Sequence, residues 1–135
     1  MSDRTLQVGV KAVIEDADGR ILLLQRSKPF HGEDFLRWDI VGGRIDPGEE
    51  LEKALAREIK EETGLTLTNV KRVVYVQDIL HNPKLHVVRI TYEVEADGDI
   101  TLSDEHTKYE WFKREDIPRE MTDKFFVEAM DANGW

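Results

Sequence analysis

The sequence predicts a single α/β domain in which helices cover a mixed β-sheet. Its 135 residues suit one domain, and 40% hydrophobic with 35% charged residues is typical of a globular chain with its own core. Segments with a period of two residues alternate with segments of helical period, in the order β-β-β-α-β-β-β-α. That order favours a sheet of parallel and antiparallel strands with helices on its faces.

The first third of the chain predicts strands. Apolar residues at alternate positions of 6–14 predict a half-buried strand, and the continuous apolar run 21–24 predicts a buried one. The turn residues 16–19 between them predict a β-hairpin. After an irregular stretch, a short apolar segment at 38–41 ends at a pair of glycines.

A helix follows the glycine pair. Asp46 suits the N-cap, Pro47 suits the first helical position, and Glu49 lies three residues after the cap, as in a capping box. The pattern continues to Thr63, and Gly64 suits the left-handed residue that ends many helices.

The second half of the chain predicts a hairpin, a short strand and a last helix. The cleanest alternation of apolar and polar residues in the sequence lies here. The predicted elements are strands at 73–79, 88–96 and 109–112, a hairpin loop at 81–84, and a helix over 122–131 capped by Thr122.

The central helix breaks its own packing pattern. A step of about 100° per residue puts Glu58 and Glu62 on the same face as the apolar Leu55. Two carboxylates four residues apart repel each other, so their partial burial requires either raised pKa values or a bound cation. With Glu61 at the edge of this face, three carboxylates could jointly bind Mg²⁺ or Mn²⁺.

Charge and the absence of cysteine exclude several classes of function. The formal net charge of −9 disfavours a nonspecific nucleic-acid binder, because phosphate backbones attract clustered Lys and Arg. Without cysteine there are no disulfides, thiolate zinc sites or cysteine nucleophiles. No apolar run reaches the roughly 20 residues that span a bilayer, and no signal-peptide core follows the N-terminus, so we expect a cytoplasmic protein without a membrane partner.

Residues 42–65 carry a motif that is specific enough to indicate a family. They read GGRIDPGEELEKALAREIKEETGL, in which Gly43 is followed at fixed spacing by Glu49 and by the segment REIKEETGL. Seven fixed identities and two apolar positions match the Nudix box over 43–65 at every specified position. The chain therefore resembles the Nudix hydrolase superfamily, and its length and strand order are similar to those of small MutT-like members.

This resemblance implies one Nudix domain over 1–135 with an α/β/α sandwich fold. It implies divalent-metal-dependent hydrolysis of a pyrophosphate bond in a nucleoside diphosphate linked to another moiety. The expected substrate is a nucleoside or deoxynucleoside triphosphate or a related nucleotide, with ADP-ribose or a dinucleoside polyphosphate as the alternative. An alternative of another class is a nucleotide-sensing Nudix-fold module without catalysis. A homodimer is compatible with the analogy.

The resemblance also implies roles for individual residues. Glu58 and Glu62 correspond to the principal metal ligands, and Glu61 and Glu105 correspond to further ligands, for Mg²⁺ or Mn²⁺. Glu61 or Glu105 would act as the general base that takes a proton from the attacking water. Arg57 corresponds to the motif arginine that orients the acidic cluster.

Further residues are expected on the substrate side. Arg26, at the end of the second strand, resembles a phosphate-contacting arginine, and Arg44 after the glycine pair is a second candidate. The loops 27–38 and 81–86 are expected to contact the base or sugar, with Phe30, Phe35 and Trp38 as stacking candidates. The histidines His31, His81, His86 and His106 show no ligand spacing and are interpreted as loop and surface residues.

Overall fold

The computed structural model describes residues 3–30 and 32–135. The strands are β1 (Thr5–Ile14), β2 (Ile21–Arg26), β3 (Trp38–Asp39), β4 (Val41–Arg44), β5 (Thr66–Ile79), β6 (Leu85–Asp97) and β7 (His106–Phe112). The helices are α1 (Leu51–Thr63) and α2 (Lys124–Ala132), and two short 3₁₀ turns, Arg114–Asp116 and Arg119–Met121, precede α2. No helix among these residues has the length and apolarity to cross a membrane.

A mixed four-stranded sheet has the order β4-β1-β6-β5. β1 pairs in parallel with β6, with Val10 opposite Ile90, and antiparallel with β4, with Val10 opposite Gly43. The antiparallel pair of β5 and β6 is longer than predicted but encloses the predicted hairpin loop 81–84. This sheet confirms the expectation of a mixed α/β fold.

A second, antiparallel sheet has the order β3-β2-β7, and it corrects two predictions. The β1–β2 hairpin is wrong, because the two strands lie in different sheets and share only an isolated bridge between Glu15 and Ile21. The apolar segment 38–41 is also two strands, since β3 pairs with β2 whereas β4 pairs with β1. The chain therefore passes from one sheet to the other between them, at Ile40.

The two helices cover opposite sides of the strands. Leu24 belongs to a core that includes Leu55 of α1, whereas its neighbour Leu23 belongs to a core that includes Phe126 of α2. Since alternate residues of a strand point to opposite faces, a fully apolar β2 is what two helical layers require. This α/β/α arrangement is the one that the family resemblance implied.

The structure corrects the start of α1 but confirms its end. The helix begins at Leu51 with Glu50 as N-cap, not at Asp46, because Gly48 has a φ of 87° and interrupts helical geometry. Asp46 and Glu49 instead form a turn in which Asp46 N–H donates to Glu49 Oε1 over 3.0 Å. At the other end Gly64 has a φ of 77°, as expected for a left-handed cap.

The cap of α2 is also one residue away from the prediction. Asp123 is the N-cap, and its Oδ2 accepts the Phe126 N–H over 3.1 Å. The Thr122 hydroxyl donates to Pro118 O instead, over 2.8 Å. This shift matters for the site, because it holds a buried carboxylate at the N-terminus of α2.

Candidate active site

Strand β4 and helix α1 approach each other closely at the glycine pair. A Cβ on Gly43 would lie 2.6 Å from Glu58 Oε1, and one on Gly42 would lie 2.1 Å from Val10 O. Gly42 also has a φ of 149°, a conformation that side chains disfavour. Its N–H donates to Glu62 Oε2 over 2.9 Å. The two glycines therefore allow the backbone of β4 to meet the carboxylates of α1.

Glu62 is a buried carboxylate in this contact. It is 8% exposed, and burial raises its pKa from 4.5 to about 8. The charge of Lys11 and the Gly42 N–H act in the opposite direction, while Glu58 and Asp39 add repulsion between like charges. Such a group keeps its proton at neutral pH unless a cation replaces it. The sequence pattern of α1 required either a raised pKa or a bound cation, and the pKa of Glu62 is raised.

Arg57 connects three glutamates of the motif. Its Nε and Nη2 donate to both oxygens of Glu49 over 2.7 and 2.9 Å, and its Nη1 lies 3.0 Å from Glu58 Oε1 and 3.3 Å from Glu61 Oε2. The hydrogen bonds from Arg57 lower the pKa of Glu49 to about 2, and Glu49 in turn raises the pKa of Arg57. A bidentate pair fixes the plane of the guanidinium, so these contacts support the predicted orienting role of Arg57.

Two backbone hydrogen bonds hold the segment before β7 beside the carboxylates of α1. Ser103 N–H donates to Glu62 O over 3.3 Å, and Ser27 N–H donates to Glu105 O over 2.9 Å. These bonds hold the segment before β7 between the end of α1 and the end of β2. As a result, one ligand atom each of Glu62, Glu105 and His106 lie within 4.8 Å of one another.

The interpretation of His106 as a loop and surface residue is wrong. His106 is the first residue of β7 and is partly buried, and its Nδ1 has no hydrogen-bond partner among the described residues. Burial lowers its pKa, against the charges of Asp39 and Glu105. The only signal in the sequence was its position directly after Glu105.

The predicted metal ligands fall into two environments. The side chain of Glu58 is 13% exposed and faces Gly43 and Arg57, near the buried Glu62. The side chain of Glu61 is 59% exposed and turns to Arg57 at the rim. Clustered carboxylate oxygens with an unpartnered imidazole nitrogen fit a divalent cation.

A cavity of about 430 Å³ with a basic lining reaches Gly43, which faces Glu58, and Lys11, whose charge acts on Glu62, but none of the four predicted metal ligands lines it. Its cationic side chains are Lys11, Arg26, Arg37, Arg44 and Arg89, so both predicted substrate residues, Arg26 and Arg44, are among them. Lys11, Arg37 and Arg89 were not predicted from the sequence. Asp39 and Asp123 also line the cavity, but the five cations exceed them by three charges, which suits an anionic ligand despite the net charge of −9.

Asp123 also lines this cavity, where it pairs with two of the arginines. The Asp123 side chain lies 2.8 Å from Arg89 Nη1 and 3.5 Å from Arg37 Nη1, and the residue is 4% exposed. Burial alone would raise the pKa of Asp123, but the charges of Arg89 and Lys11, together with the hydrogen bonds from Arg89 and Phe126 N–H, outweigh it and hold the pKa below its usual range. The arginines are therefore held in place by a buried counter-charge.

Of the three aromatic residues predicted as stacking candidates, one lines the cavity. Phe30 lines the cavity, and the guanidinium of Arg37 lies 4.1 Å from its ring centroid. Trp38 instead packs edge to face on Phe112 at 5.2 Å, in the core beneath α2. Phe125, which was not predicted, lines the cavity.

The remaining predicted aromatic and histidines lie in different places. Phe35 is partly buried and does not line the cavity. His81 lines the cavity and stacks on Phe125 at 5.8 Å. His86 pairs with Asp78 over 2.7 Å, and His31 lies outside the described residues.

Comparison with known proteins gives consistent matches. A family model described as the NUDIX domain matches residues 5–131. The nucleoside triphosphatase NudI of Escherichia coli is 32% identical over 91 residues, which cover 60% of this chain and 64% of that protein. The match thus spans less than two thirds of these curated relatives.

Solved structures share the whole fold. The crystal structure of a MutT protein from Methanosarcina mazei Go1 superimposes with a TM-score of 0.82 at 27% identity and covers 97% of this chain and 94% of its own. That of a MutT NUDIX hydrolase from Burkholderia pseudomallei gives 0.78 at 30% identity, with 96% and 98% covered.

Proposed function

The chain belongs to the NUDIX domain family, and from this premise we propose that it hydrolyses a pyrophosphate bond in a nucleoside triphosphate or a related nucleotide. The expected membership of the Nudix superfamily, with MutT proteins among its structural neighbours, is confirmed. A relative named as a nucleoside triphosphatase is the reason for placing triphosphates first. The observation that carries the proposal is the buried Glu62 carboxylate, whose charge interacts with Lys11 in the basic lining of the cavity.

The carboxylates of α1 and Glu105 are the proposed metal ligands. Glu58, Glu62 and Glu105, with Glu61 at the rim, would hold Mg²⁺, with Mn²⁺ as the alternative. When bound, a divalent cation supplies neutralisation of phosphate charge and a lower pKa for a coordinated water. Arg57 keeps Glu58 turned towards Gly43 through its own fixed contact with Glu49.

Arg26 and Arg44 are the proposed phosphate contacts. Lys11 is paired with Asp39, and Arg37 and Arg89 are paired with Asp123. Arg26 and Arg44 line the same cavity without an ion pair to any described carboxylate. Their charges are therefore the ones left to compensate phosphate, while Phe30 and Phe125 offer rings for the base.

Two carboxylates are candidates for the general base. Glu61 accepts a hydrogen bond from Arg57 at the rim, whereas Glu105 lies in the group with Glu62 and His106. The two are separated by measuring kcat against pH for Glu61→Gln and Glu105→Gln. The base is the residue whose replacement abolishes the acidic limb of that profile while metal binding persists.

The proposal is tested with a panel of nucleoside triphosphates, ADP-ribose, dinucleoside polyphosphates and nucleotide sugars. Product formation is followed by chromatography with Mg²⁺ and with EDTA. We expect turnover of a triphosphate with Mg²⁺ only, and a loss of at least about 100-fold in Glu58→Gln. Glu50→Gln is the matched control, because Glu50 is the N-cap of the same helix and its side chain is 75% exposed.

Two outcomes would contradict the proposal. Near-normal turnover in a folded Glu58→Gln variant would remove this residue from the metal site. Tight nucleotide binding by the wild-type protein without any product, with Mg²⁺ present, would indicate the nucleotide-sensing module instead.

A further inference from the structure

His106 presents an imidazole nitrogen for which the described residues provide no partner. Its Nδ1 is buried and accepts or donates no hydrogen bond, although the strand pairing of β7 with β2 holds its backbone opposite Arg26. An unpaired buried polar atom costs about 1–3 kcal/mol. Such an atom in a native fold calls for an explanation, such as a bound water or a bound ion.

The surroundings of His106 identify the class of that ligand. One ligand atom of His106 and one carboxylate oxygen each of Glu62 and Glu105 lie within 4.8 Å of one another. Three ligands spaced evenly around one cation at about 2.1 Å lie about 3.6 Å from one another, so inward shifts of up to about 0.7 Å by each atom would bring all three onto one ion. Two acidic side chains and a nitrogen lone pair favour a cation over an anion.

We propose that His106 binds the divalent cation as a nitrogen ligand beside Glu62 and Glu105, which gives this centre a preference for Mn²⁺ over Mg²⁺. The inference rests on the proposed function, because it concerns the same metal site. Carboxylates suit both ions, whereas imidazole binds first-row transition-metal ions, with Mn²⁺ at the weak end of that series, and is a poor ligand for Mg²⁺. The imidazole nitrogen should therefore raise the affinity of the site for Mn²⁺ and leave its affinity for Mg²⁺ nearly unchanged.

The test measures metal binding to the full chain without nucleotide. Pulsed electron paramagnetic resonance of bound Mn²⁺ detects coupling to a directly ligated ¹⁴N, and ¹⁵N-histidine labelling assigns that coupling to a histidine. Calorimetry gives the Mn²⁺ and Mg²⁺ dissociation constants of the wild type and of His106→Gln. His86→Gln is the matched control, because His86 pairs with Asp78 and lies outside the metal group.

We expect a histidine ¹⁴N coupling in the wild type and in His86→Gln, and none in His106→Gln. The Mn²⁺ affinity of His106→Gln should fall at least tenfold, while its Mg²⁺ affinity changes less than threefold. Circular dichroism checks that the variant is folded, and His106→Asn serves as a second replacement if it is not.

The inference is overturned if wild-type Mn²⁺ shows no nitrogen coupling, if the coupling persists in His106→Gln, or if the ratio of Mn²⁺ to Mg²⁺ affinity is unchanged. A loss of turnover with unchanged Mn²⁺ affinity would likewise place His106 on the water or the substrate and not on the metal. These results are separate from the proposed function. Triphosphate hydrolysis without nitrogen coupling refutes only the proposal that His106 is a metal ligand. Nitrogen coupling without hydrolysis of any substrate refutes only the proposed reaction.

Discussion

Replacement of Glu62 by glutamine should stabilise the metal-free protein at neutral and alkaline pH, although it removes a proposed metal ligand. Glu62 is 8% exposed on the apolar side of α1, and Gly42 N–H donates to one of its oxygens. A glutamine side-chain oxygen can accept the same hydrogen bond without ever becoming charged. The variant therefore isolates the cost of burying this one ionisable group.

The magnitude follows from the pKa of Glu62, which burial raises from 4.5 to about 8. Between these values the folded protein keeps a proton that the unfolded chain releases, so the free energy of unfolding falls as the pH rises through this window. At about 1.4 kcal/mol per pKa unit, the loss reaches about 4.5 kcal/mol at pH 8, and well below pH 4.5 it vanishes. This is an upper limit, because water that enters a loosened pocket reduces the cost of ionisation.

The assay is urea unfolding in EDTA between pH 5 and pH 8.5. The difference between Glu62→Gln and the wild type should be below about 1 kcal/mol at pH 5 and about 2–4 kcal/mol in favour of the variant at pH 8. Taking the difference cancels the titration of all other groups. Glu52→Gln is the control, since Glu52 is exposed on the same helix and should show no such rise.

Addition of Mg²⁺ should stabilise the wild type at pH 8 more than Glu62→Gln, because only in the wild type does the cation replace the proton on this buried carboxylate. The reasoning is refuted if Glu62→Gln is no more stable than the wild type at pH 8 in EDTA. An equal rise with pH in Glu52→Gln would refute it as well, by showing that burial is not the cause.

Three further predictions concern backbone approach, the buried counter-charge and orientation. Gly42→Ala should lower the free energy of unfolding by about 3 kcal/mol, because its Cβ would lie 2.1 Å from a backbone oxygen. Gly9→Ala is the control, because its Cβ would meet nothing closer than 3.7 Å. Equal losses of stability in urea unfolding of the two variants would contradict the steric argument. Asp123→Asn should cost about 3 kcal/mol at pH 7, measured against Asp131→Asn at an exposed ion pair. The wild-type contribution should be present above pH 3.8 and lost as the pH falls towards the lowered pKa of Asp123, so a stability–pH curve of Asp123→Asn that matches the wild type would disprove it. Arg57→Lys should reduce kcat about 10- to 100-fold with a smaller change in KM, because an ammonium group cannot donate in parallel to both oxygens of Glu49. An unchanged kcat in steady-state kinetics would exclude a positioning role for Arg57.

The sequence predicted best those features that are determined within one element. The alternation of β6 and the stop of α1 at Gly64 are local, because they depend on side-chain period and on one left-handed residue. The start of α1 was missed although Pro47 suits a first helical turn. Gly48 follows it with a φ of 87°, and the composition of the segment does not reveal which conformation a glycine adopts.

The β1–β2 hairpin prediction failed because strand pairing is not local. The turn itself exists, since Asp16 Oδ1 accepts the N–H groups of Asp18 and Arg20 over 2.9 Å. A tight turn between two strands favours pairing in one sheet, but β1 gains a parallel partner in β6, with Val10 opposite Ile90. The buried run of β2 is then free to form the centre of the second sheet.

The residues of the site also differ in whether one element or the contact between two elements determines their environment. Glu58 and Glu62 could be predicted because a carboxylate on the apolar face of a regular helix violates the packing pattern around it. Arg89 and Asp123 violate no local pattern, since each becomes a buried charge only when β6 meets the N-terminus of α2 and the two pair over 2.8 Å. His106 belongs to the second group, because its cost is an unpaired nitrogen that exists only once β7 pairs with β2. A functional residue that weakens its fold is therefore visible in a sequence only where the element that carries it has a regular pattern to break.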